Sequence, residues 1–323
     1  MATSEQVRLQ TLLDKSEMFI QREFIKFLTT LRSDAVLKQF NDALESNDIN
    51  KVYDIINSHV IVFANTIPLL FSQVAAAEAV IYVSQLKNVG MGIGFDPTNP
   101  RAAEKVRQAR FDIIRGLNLQ QRQATQQAIA RAFETGFNPR IVAREIRNSI
   151  GLTAQQESAV NNYRAMLQSR NSDALQRELR DRRFDRTVSR SIRDETPLTA
   201  AQIDIMTNAY RRNMLAFRTE TIARTQAVRA TSEARQESLV QVMDFIAETH
   251  EAIREWDWTD DDRTRDHHRH MMVARAGLTT PFVDGLGNTL MFPGDPSAPA
   301  ASTANCRCTF TVRIVEKGDK PPI

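Results

Sequence analysis

The residues best suited to chemistry lie towards the C-terminal end of the sequence and combine imidazole, carboxylate and thiol groups. They are His267, His268, His270, Cys306, Cys308 and the acidic run 260–262. Zinc prefers thiolate and imidazole ligands in a tetrahedral array. The two cysteines and one histidine supply three ligands, and an aspartate or a second histidine could supply the fourth. The pattern therefore predicts a structural zinc site whose candidate ligands are His268, Cys306, Cys308, Asp261 and His267.

Two other interpretations of these residues remain open. The thiols could be small buried apolar groups, with the histidines hydrogen-bonded to an aspartate or a backbone carbonyl. Alternatively, clustered aspartates and histidines could hold a catalytic metal that activates water. The sequence shows no nucleophile elbow, no His-Glu-x-x-His motif and no phosphate-binding loop, and it therefore favours a protein that is not an enzyme. A disulfide across one intervening residue would be strained, so we expect reduced thiols.

Composition and charge limit the possible classes of protein. The chain has 323 residues, 42% of them hydrophobic and 25% charged, which excludes a disordered tail and a membrane bundle. Lys and Arg number 42 against 39 Asp and Glu, and no lysine occurs between Lys105 and Lys317. Arginine is the better residue for bidentate pairs with carboxylate or phosphate, although a GC-rich genome would give the same bias. The near balance of charge indicates contacts with protein first and with nucleic acid second.

The segment 60–83 is apolar over a length that could cross a membrane, with Glu78 as its single charge. It also contains Asn65 and Pro68, which suit a spanning helix poorly. The sequence therefore predicts a buried helix pair broken near Pro68, and it disfavours the host membrane as a partner.

Helix signals dominate the rest of the sequence. Glycine is absent between Leu152 and Ala276, where strong helix formers are common. Asn99-Pro100 and Asn138-Pro139 each place a capping asparagine before a proline suited to the first helical position. Glycine and proline return after 276, and the alternation over 308–315 predicts a strand. The expected fold is mainly α, with a long helical N-terminal and central body followed by a small C-terminal α+β domain.

An internal repeat lies within the central body. Arg144, Ile146, Arg147, Leu152, Thr153 and Ala154 recur at a constant shift as Arg190, Ile192, Arg193, Leu198, Thr199 and Ala200. In each copy the threonine precedes a glutamine by three residues, which is the spacing of a capping box. We expect two similar helix–turn–helix units packed on each other. Because most helical hairpins only form core, the repeat does not by itself indicate sequence-specific DNA binding.

These signals divide the chain into four consecutive segments. Residues 1–95 form an N-terminal helical region, and residues 96–250 form an arginine-rich helical body that contains the repeat. Residues 251–316 form the α+β domain, and residues 317–323 form a flexible tail.

Several pieces of the sequence resemble the phage Mu protein F-like family of minor head, or head-morphogenesis, proteins of tailed bacteriophages. A helical lead-in at 221–226 precedes the first signature residues, a proline-glycine-aspartate turn follows, and an Asn-Cys-Arg-Cys motif closes the pattern. The matching residues, called the signature residues below, are Trp258, Asp261, Arg263, Arg265, His268, Pro293, Gly294, Asp295, Asn305, Cys306, Arg307 and Cys308. The resemblance covers roughly residues 95–312, and residues 1–95 match no motif of the family. Some members carry a Cys-x-x-Cys where this chain has Arg265 and His268, so a four-ligand zinc site here needs His267, Asp261 or water.

The resemblance implies a virion protein present in several copies, located inside or at the portal vertex of the phage head and assembled in the bacterial cytoplasm. The implied partners are the portal protein and other capsid or scaffold proteins, with non-specific binding of genomic DNA as a further possibility. The arginines expected to contact DNA or portal are Arg180, Arg182, Arg183, Arg186, Arg211 and Arg212. The alternative is an ejected metal-dependent hydrolase or nuclease, or a membrane-active ejection protein, that uses the C-terminal Asp, His and Cys residues.

Overall fold

The computed structural model describes residues 3–86, 93–134, 138–257, 264–271 and 274–318. The fold is mainly α with a small C-terminal α+β region, as the sequence predicts. The helices are α1 (Ser4–Leu31), α2 (Asp34–Glu45), α3 (Ile49–Ala64), α4 (Thr66–Ser84), α5 (Pro100–Glu134), α6 (Pro139–Ser149), α7 (Ala154–Gln168), α8 (Asp185–Arg193), α9 (Ala200–Ile246), α10 (Asp266–Arg269) and α11 (Ala300–Thr303). The strands are β1 (His250–Asp257), β2 (Arg275–Gly277), β3 (Phe282–Val283), β4 (Thr289–Leu290) and β5 (Thr309–Glu316).

Side-chain caps start the helices where the sequence predicts. The Oδ1 atom of Asn99 accepts a hydrogen bond from the backbone N–H of Arg101 (2.9 Å), and Asn138 accepts one from Arg140 (3.0 Å). The reciprocal capping box of Thr153 and Gln156 opens α7. Such caps satisfy backbone donors that have no partner inside the helix.

The glycine-free stretch is less continuously helical than its composition predicts. Two short 3-10 helices, Ser172–Gln176 and Arg182–Phe184, separate α7 from α8. The side chains of Asn171 and Asp181 cap these turns, which offers the backbone an alternative to a continuous helix. The same stretch also contains the strand β1, which the sequence did not predict.

The chain forms two compact units. Unit 1 consists of residues 1–24, 64–113 and 221–323, and unit 2 consists of residues 25–63 and 114–220. This division differs from the four consecutive segments expected from the sequence, because α1, α5 and α9 each contribute residues to both units. Of the expected C-terminal tail, residues 319–323 lie outside the described part of the chain.

Unit 1 is built around the second part of α9, which packs with α4 and an antiparallel sheet of order β2-β1-β5. The residues of its apolar core are Ala79, Tyr82, Leu239, Val242, Met243, Ile246, Ala252, Phe292, Phe310, Val312 and Ile314. The side chain of Gln85 covers the outer edge of β5, since its amide donates to the carbonyl of Val312 (3.3 Å) and accepts from the N–H of Ile314 (3.1 Å). This contact satisfies edge groups that would otherwise be open to pairing with another strand.

Unit 2 contains the internal repeat as two helical hairpins, α6 with α7 and α8 with the start of α9. The equivalent tyrosines of the two copies, Tyr163 and Tyr210, stack with ring centroids 4.5 Å apart. Their neighbours pair reciprocally, because Arg164 contacts Asp204 (2.5 Å) and the equivalent Arg211 contacts Glu157 (2.7 Å). The copies therefore meet through like surfaces, as in a twofold-symmetric contact. The expected packing of two similar units on each other is confirmed.

The apolar segment forms two helices, α3 and α4, and the break falls at Asn65, close to the predicted position. Residues 49–84 are apolar and long enough to cross a membrane, and half of their most apolar window is buried inside the fold. Glu78 within α4 is 1% exposed, and its Oε2 atom accepts a hydrogen bond from the Nε of Arg235 at 3.0 Å. The single charge of the segment is thus held by an ion pair in the core of unit 1.

Candidate metal centre

Three side chains from the C-terminal region of unit 1 meet in one buried cluster. His268 lies on the short helix α10, Cys306 lies between α11 and β5, and Cys308 directly precedes β5. The guanidinium of Arg265, at the start of α10, donates to the carbonyl of Ala304 at the end of α11. This contact ties the helix that carries the histidine to the segment that carries the cysteines.

The geometry brings two sulfur atoms to the same ring nitrogen. The Nδ1 atom of His268 lies 3.4 Å from the Sγ atom of Cys308 and 3.7 Å from that of Cys306. All three side chains are at most 3% exposed, and both cysteines are free thiols, as expected. Bond lengths of about 2.3 Å to sulfur and 2.0–2.1 Å to nitrogen place tetrahedral zinc ligands about 3.6 Å apart. The donor set and its spacing therefore fit a metal-binding group.

The surroundings shift the pKa values of the two thiols in opposite directions. The pKa of Cys306 lies well below its usual value, because a hydrogen bond from the thiol of Cys308 and the neighbouring His268 stabilise its thiolate and together outweigh burial. The pKa of Cys308 is raised by that same hydrogen bond and by burial. Cys306 is therefore the more acidic of the two thiols, and the thiolate is the form of cysteine that binds metal.

A second group of possible ligands adjoins the first, since ligand atoms of His267, His268 and Asp284 lie within 4.8 Å of one another. The carboxylate of Asp284 already accepts from the backbone N–H groups of Leu286 and Asn288 and from the side chains of Asn288 and Ser302. Burial raises its pKa, but these hydrogen bonds outweigh burial and lower it to about 2. Asp284 therefore anchors the loop between β3 and β4.

Among the described residues, no fourth possible ligand joins the group of His268, Cys306 and Cys308. The structure places His267 with Asp284, and not with the two thiols. The Nε2 atoms of His267 and His268 are buried and make no hydrogen bond to any described residue. Asp261, like the signature residues Trp258 and Arg263, lies outside the described residues.

The proline-glycine-aspartate turn packs directly against α9. Gly294 has a φ of +80°, and a Cβ atom added there would lie 3.1 Å from the Cα and N atoms of Arg229. Asp295 closes the turn by accepting from the N–H groups of Met291 (2.7 Å) and Ser297 (2.9 Å). The turn following Pro293 thus needs glycine for its backbone conformation and for its close approach to the helix.

The closing motif contacts the helical lead-in. The side chain of Asn305 accepts from Arg224 (2.8 Å), and its backbone N–H donates to the hydroxyl of Thr225 (2.8 Å). Arg224 also forms an ion pair with Glu17 on α1 at 3.1 Å. Arg307 lines a cavity of about 210 Å³ together with Arg224 and Glu17. Motifs far apart in the sequence therefore meet in unit 1.

The arginines expected to contact DNA or portal differ in their surroundings. Arg180 forms a two-point ion pair with Asp185, and Arg183 pairs with Asp181. Arg211 pairs with the buried Glu157. Three of the six arginines are thus neutralised within the chain, which agrees with the charge balance in the sequence. The remaining three, which form no ion pair with the described residues, are Arg182, Arg186 and Arg212.

Two arginines of unit 1, Arg235 and Arg254, are buried although the sequence does not predict it. Arg254 on β1 is fully buried, and it donates to the carbonyl oxygens of Gly277, Thr280 and Met291 and to the side chain of Gln236. Burial lowers its pKa to about 10. Arg254 occupies an inward-facing position of β1, where an apolar residue is expected. Its charge therefore interrupts the alternation of apolar and polar residues by which a strand is predicted. For Arg235 the sequence contains one indication: the lone charge of Glu78 in an apolar segment requires a buried cationic partner.

Comparisons of the chain with protein-family models, with curated proteins and with solved structures find no match.

Proposed function

We propose that this chain is a minor head protein of a tailed bacteriophage that associates with the portal vertex and supports head assembly, genome packaging or DNA ejection. One observation carries the proposal. The lead-in, the proline-glycine-aspartate turn and the Asn-Cys-Arg-Cys motif are the pieces that resemble the Mu F-like family, and each is in contact with α9 or with another of these pieces. These three motifs therefore belong to one folded module within unit 1.

The same module supports a structural zinc ion held by His268, Cys306 and Cys308, with His267, Asp261 or water as the fourth ligand. A bound ion would supply cross-links between α10 and the start of β5. The burial of all three ligands favours a structural over a catalytic role. Trp256, 1% exposed, lies edge-on to the imidazole of His268 at 5.7 Å and limits the access of solvent from that side.

The proposed partners are the portal protein and other capsid or scaffold proteins. The exposed Arg182 and Arg186 are available for phosphate groups of the genome, and such backbone contacts would be independent of sequence. The module's buried signature residues hold the fold, so the surfaces that bind partners are formed by other residues.

The proposal is tested by examining particles from the phage that encodes the chain. We expect mass spectrometry to find the chain in purified heads at a few copies for each hundred or more of the major capsid protein. We also expect cryo-electron microscopy without imposed symmetry to locate it at the portal vertex. A chain that is absent from the heads, or spread evenly over the capsid shell, would contradict the proposal.

An ejected metal-dependent hydrolase or nuclease is the second candidate. It is favoured by the buried Nε2 atoms of His267 and His268, which have no hydrogen-bond partner among the described residues. The variant Cys306→Ser distinguishes the structural function from the enzymatic one. If particle assembly survives this change while a metal-dependent nuclease or peptidase activity of the purified chain disappears, the enzymatic function is correct.

A further inference from the structure

Unit 2 contains a cavity of about 220 Å³ that is lined by three arginines, two asparagines and one leucine. Residues from three elements line this arginine pocket: Arg32, Asn148, Asn208, Arg211, Arg212 and Leu215. Arg32 directly follows α1, Asn148 lies on α6, and the others lie on α9. Donor groups therefore reach the cavity from three directions.

The arginine pocket has more positive than negative charge. Glu157 forms an ion pair with Arg211 at 2.7 Å and also attracts Arg32, so this single carboxylate is set against the three arginines that line the pocket. Asp181 is close enough to Arg212 for its pKa to be lowered by that charge, but it is already held by Arg183. The pocket thus has an excess of two positive charges.

Arg32 lies close to other cations. Burial lowers its pKa, repulsion from Arg211 and Arg147 lowers it further, and Glu157 opposes this shift without cancelling it. Arg147 is neutralised by Asp34, at 3.0 Å, whose side chain is 96% exposed and therefore screened by water. Like charges held this close favour an anion between them.

The guanidinium groups of Arg32 and Arg211 are held by hydrogen bonds, and each has an N–H donor that remains available for a further acceptor. Arg32 donates through Nε and Nη2 to the carbonyl oxygens of Arg147 and Asn148, both at 3.2 Å, which leaves its Nη1 for another partner. The Nε of Arg211 is buried and has no acceptor among the described residues. A buried donor without a partner costs about 1–3 kcal/mol, and a bound oxyanion would remove that cost.

We propose that the arginine pocket binds a dianionic phosphate group, either inorganic phosphate or the terminal phosphate of a monoester such as the 5′ end of a nucleic acid. A carboxylate is planar and is satisfied by a single guanidinium fork, whereas donors from three directions suit a tetrahedral oxyanion. A phosphodiester has only one negative charge and matches the excess of two less well. This proposal does not depend on the function proposed above.

Binding is measured on the full chain with three probes: inorganic phosphate, an oligonucleotide with a 5′-phosphate, and the same oligonucleotide without it. We expect saturable binding of inorganic phosphate by calorimetry. A 5′-phosphate that strengthens oligonucleotide binding about tenfold identifies a nucleic-acid end as the source, and equal binding of the two oligonucleotides identifies the free anion. Absence of phosphate binding, or preferential binding of an acidic peptide, would overturn the proposal.

The pocket is distinguished from general surface charge by two matched variants. Arg212 and Arg144 are both exposed residues of unit 2, and neither forms an ion pair with the described residues, so Arg212→Gln and Arg144→Gln remove the same charge. We expect Arg212→Gln to weaken phosphate binding about tenfold or more and Arg144→Gln to change it less than about twofold. Asn208→Asp, which adds a carboxylate at the exposed rim, should also weaken binding. Equal losses in the two arginine variants, with both proteins folded by circular dichroism, would show non-specific attraction and refute the pocket.

Discussion

At the scale of single residues, the candidate metal centre combines two thiols whose pKa values are shifted in opposite directions. Cys306 and Cys308 are separated by one residue, and both approach the Nδ1 atom of His268. A thiol must lose its proton to bind a metal ion. Metal binding would therefore couple the affinity to pH.

Replacement of Cys306 by serine tests this arrangement. We expect the purified chain to contain about one zinc ion, by elemental analysis, and Cys306→Ser to contain little. Because the ion would cross-link α10 to the segment before β5, its loss should lower the free energy of unfolding by several kcal/mol. A chelator should lower the melting temperature of the original chain towards that of the variant and leave the variant unchanged. A chain that purifies without zinc, or a chelator that leaves the melting temperature of the original chain unchanged, would contradict the prediction.

At the scale of the elements, the close approach of the Pro293–Asp295 turn to α9 explains why its glycine is needed. Gly294 and Gly287 have nearly the same φ, +80° and +82°. A Cβ atom at Gly294 would meet the backbone of Arg229, whereas one at Gly287 would meet nothing within 4 Å. The two positions share the backbone strain and differ only in the contact.

We therefore expect Gly294→Ala to destabilise unit 1 more than Gly287→Ala. Both variants place alanine in the left-handed region, at a cost of about 1–2 kcal/mol. Gly294→Ala must also displace the turn from α9, since helix backbone cannot move aside as a side chain can, which adds about 1–3 kcal/mol. Urea unfolding of the two variants measures the difference, and equal midpoints would show that the close approach is unimportant.

At the scale of the whole molecule, long-range ion pairs connect segments that are distant in the sequence. Within unit 1, Glu78 on α4 pairs with Arg235 on α9 and with Arg8 on α1. Arg235 also donates to the carbonyl of Phe310 on β5 at 2.7 Å and lies over that ring at 4.4 Å. Four segments therefore depend on one buried carboxylate.

Glu78→Gln should destabilise the chain by about 3–5 kcal/mol, because it leaves Arg235 buried without a counter-charge. Burial alone would raise the pKa of Glu78, but Arg235 and Arg8 outweigh it and lower the pKa below its ordinary value. The contribution of a group with a lowered pKa is present above its unfolded pKa and is lost as the pH falls through the folded value. The difference in melting temperature should therefore narrow on acidification. The control is Glu251→Gln, an exposed change on β1, and equal stability of the two variants at pH 7 would contradict the prediction.

The sequence by itself determined the features that depend on neighbouring residues: the mainly α fold class, the caps at Asn99, Asn138 and Thr153, the paired repeat and the strand β5. Zinc's preference for thiolate and imidazole also restricted the candidate ligands to five residues, and the structure brings three of them, His268, Cys306 and Cys308, into one buried group. Only the tertiary structure decided the division into two units, the inward position of Arg254, the separation of His267 from the thiols, and the arginine pocket. These features join residues far apart in the chain, as Arg32 joins Asn148 and Arg212, and local periodicity contains no information about such contacts. Burial and charge pairing select them only when the helices pack.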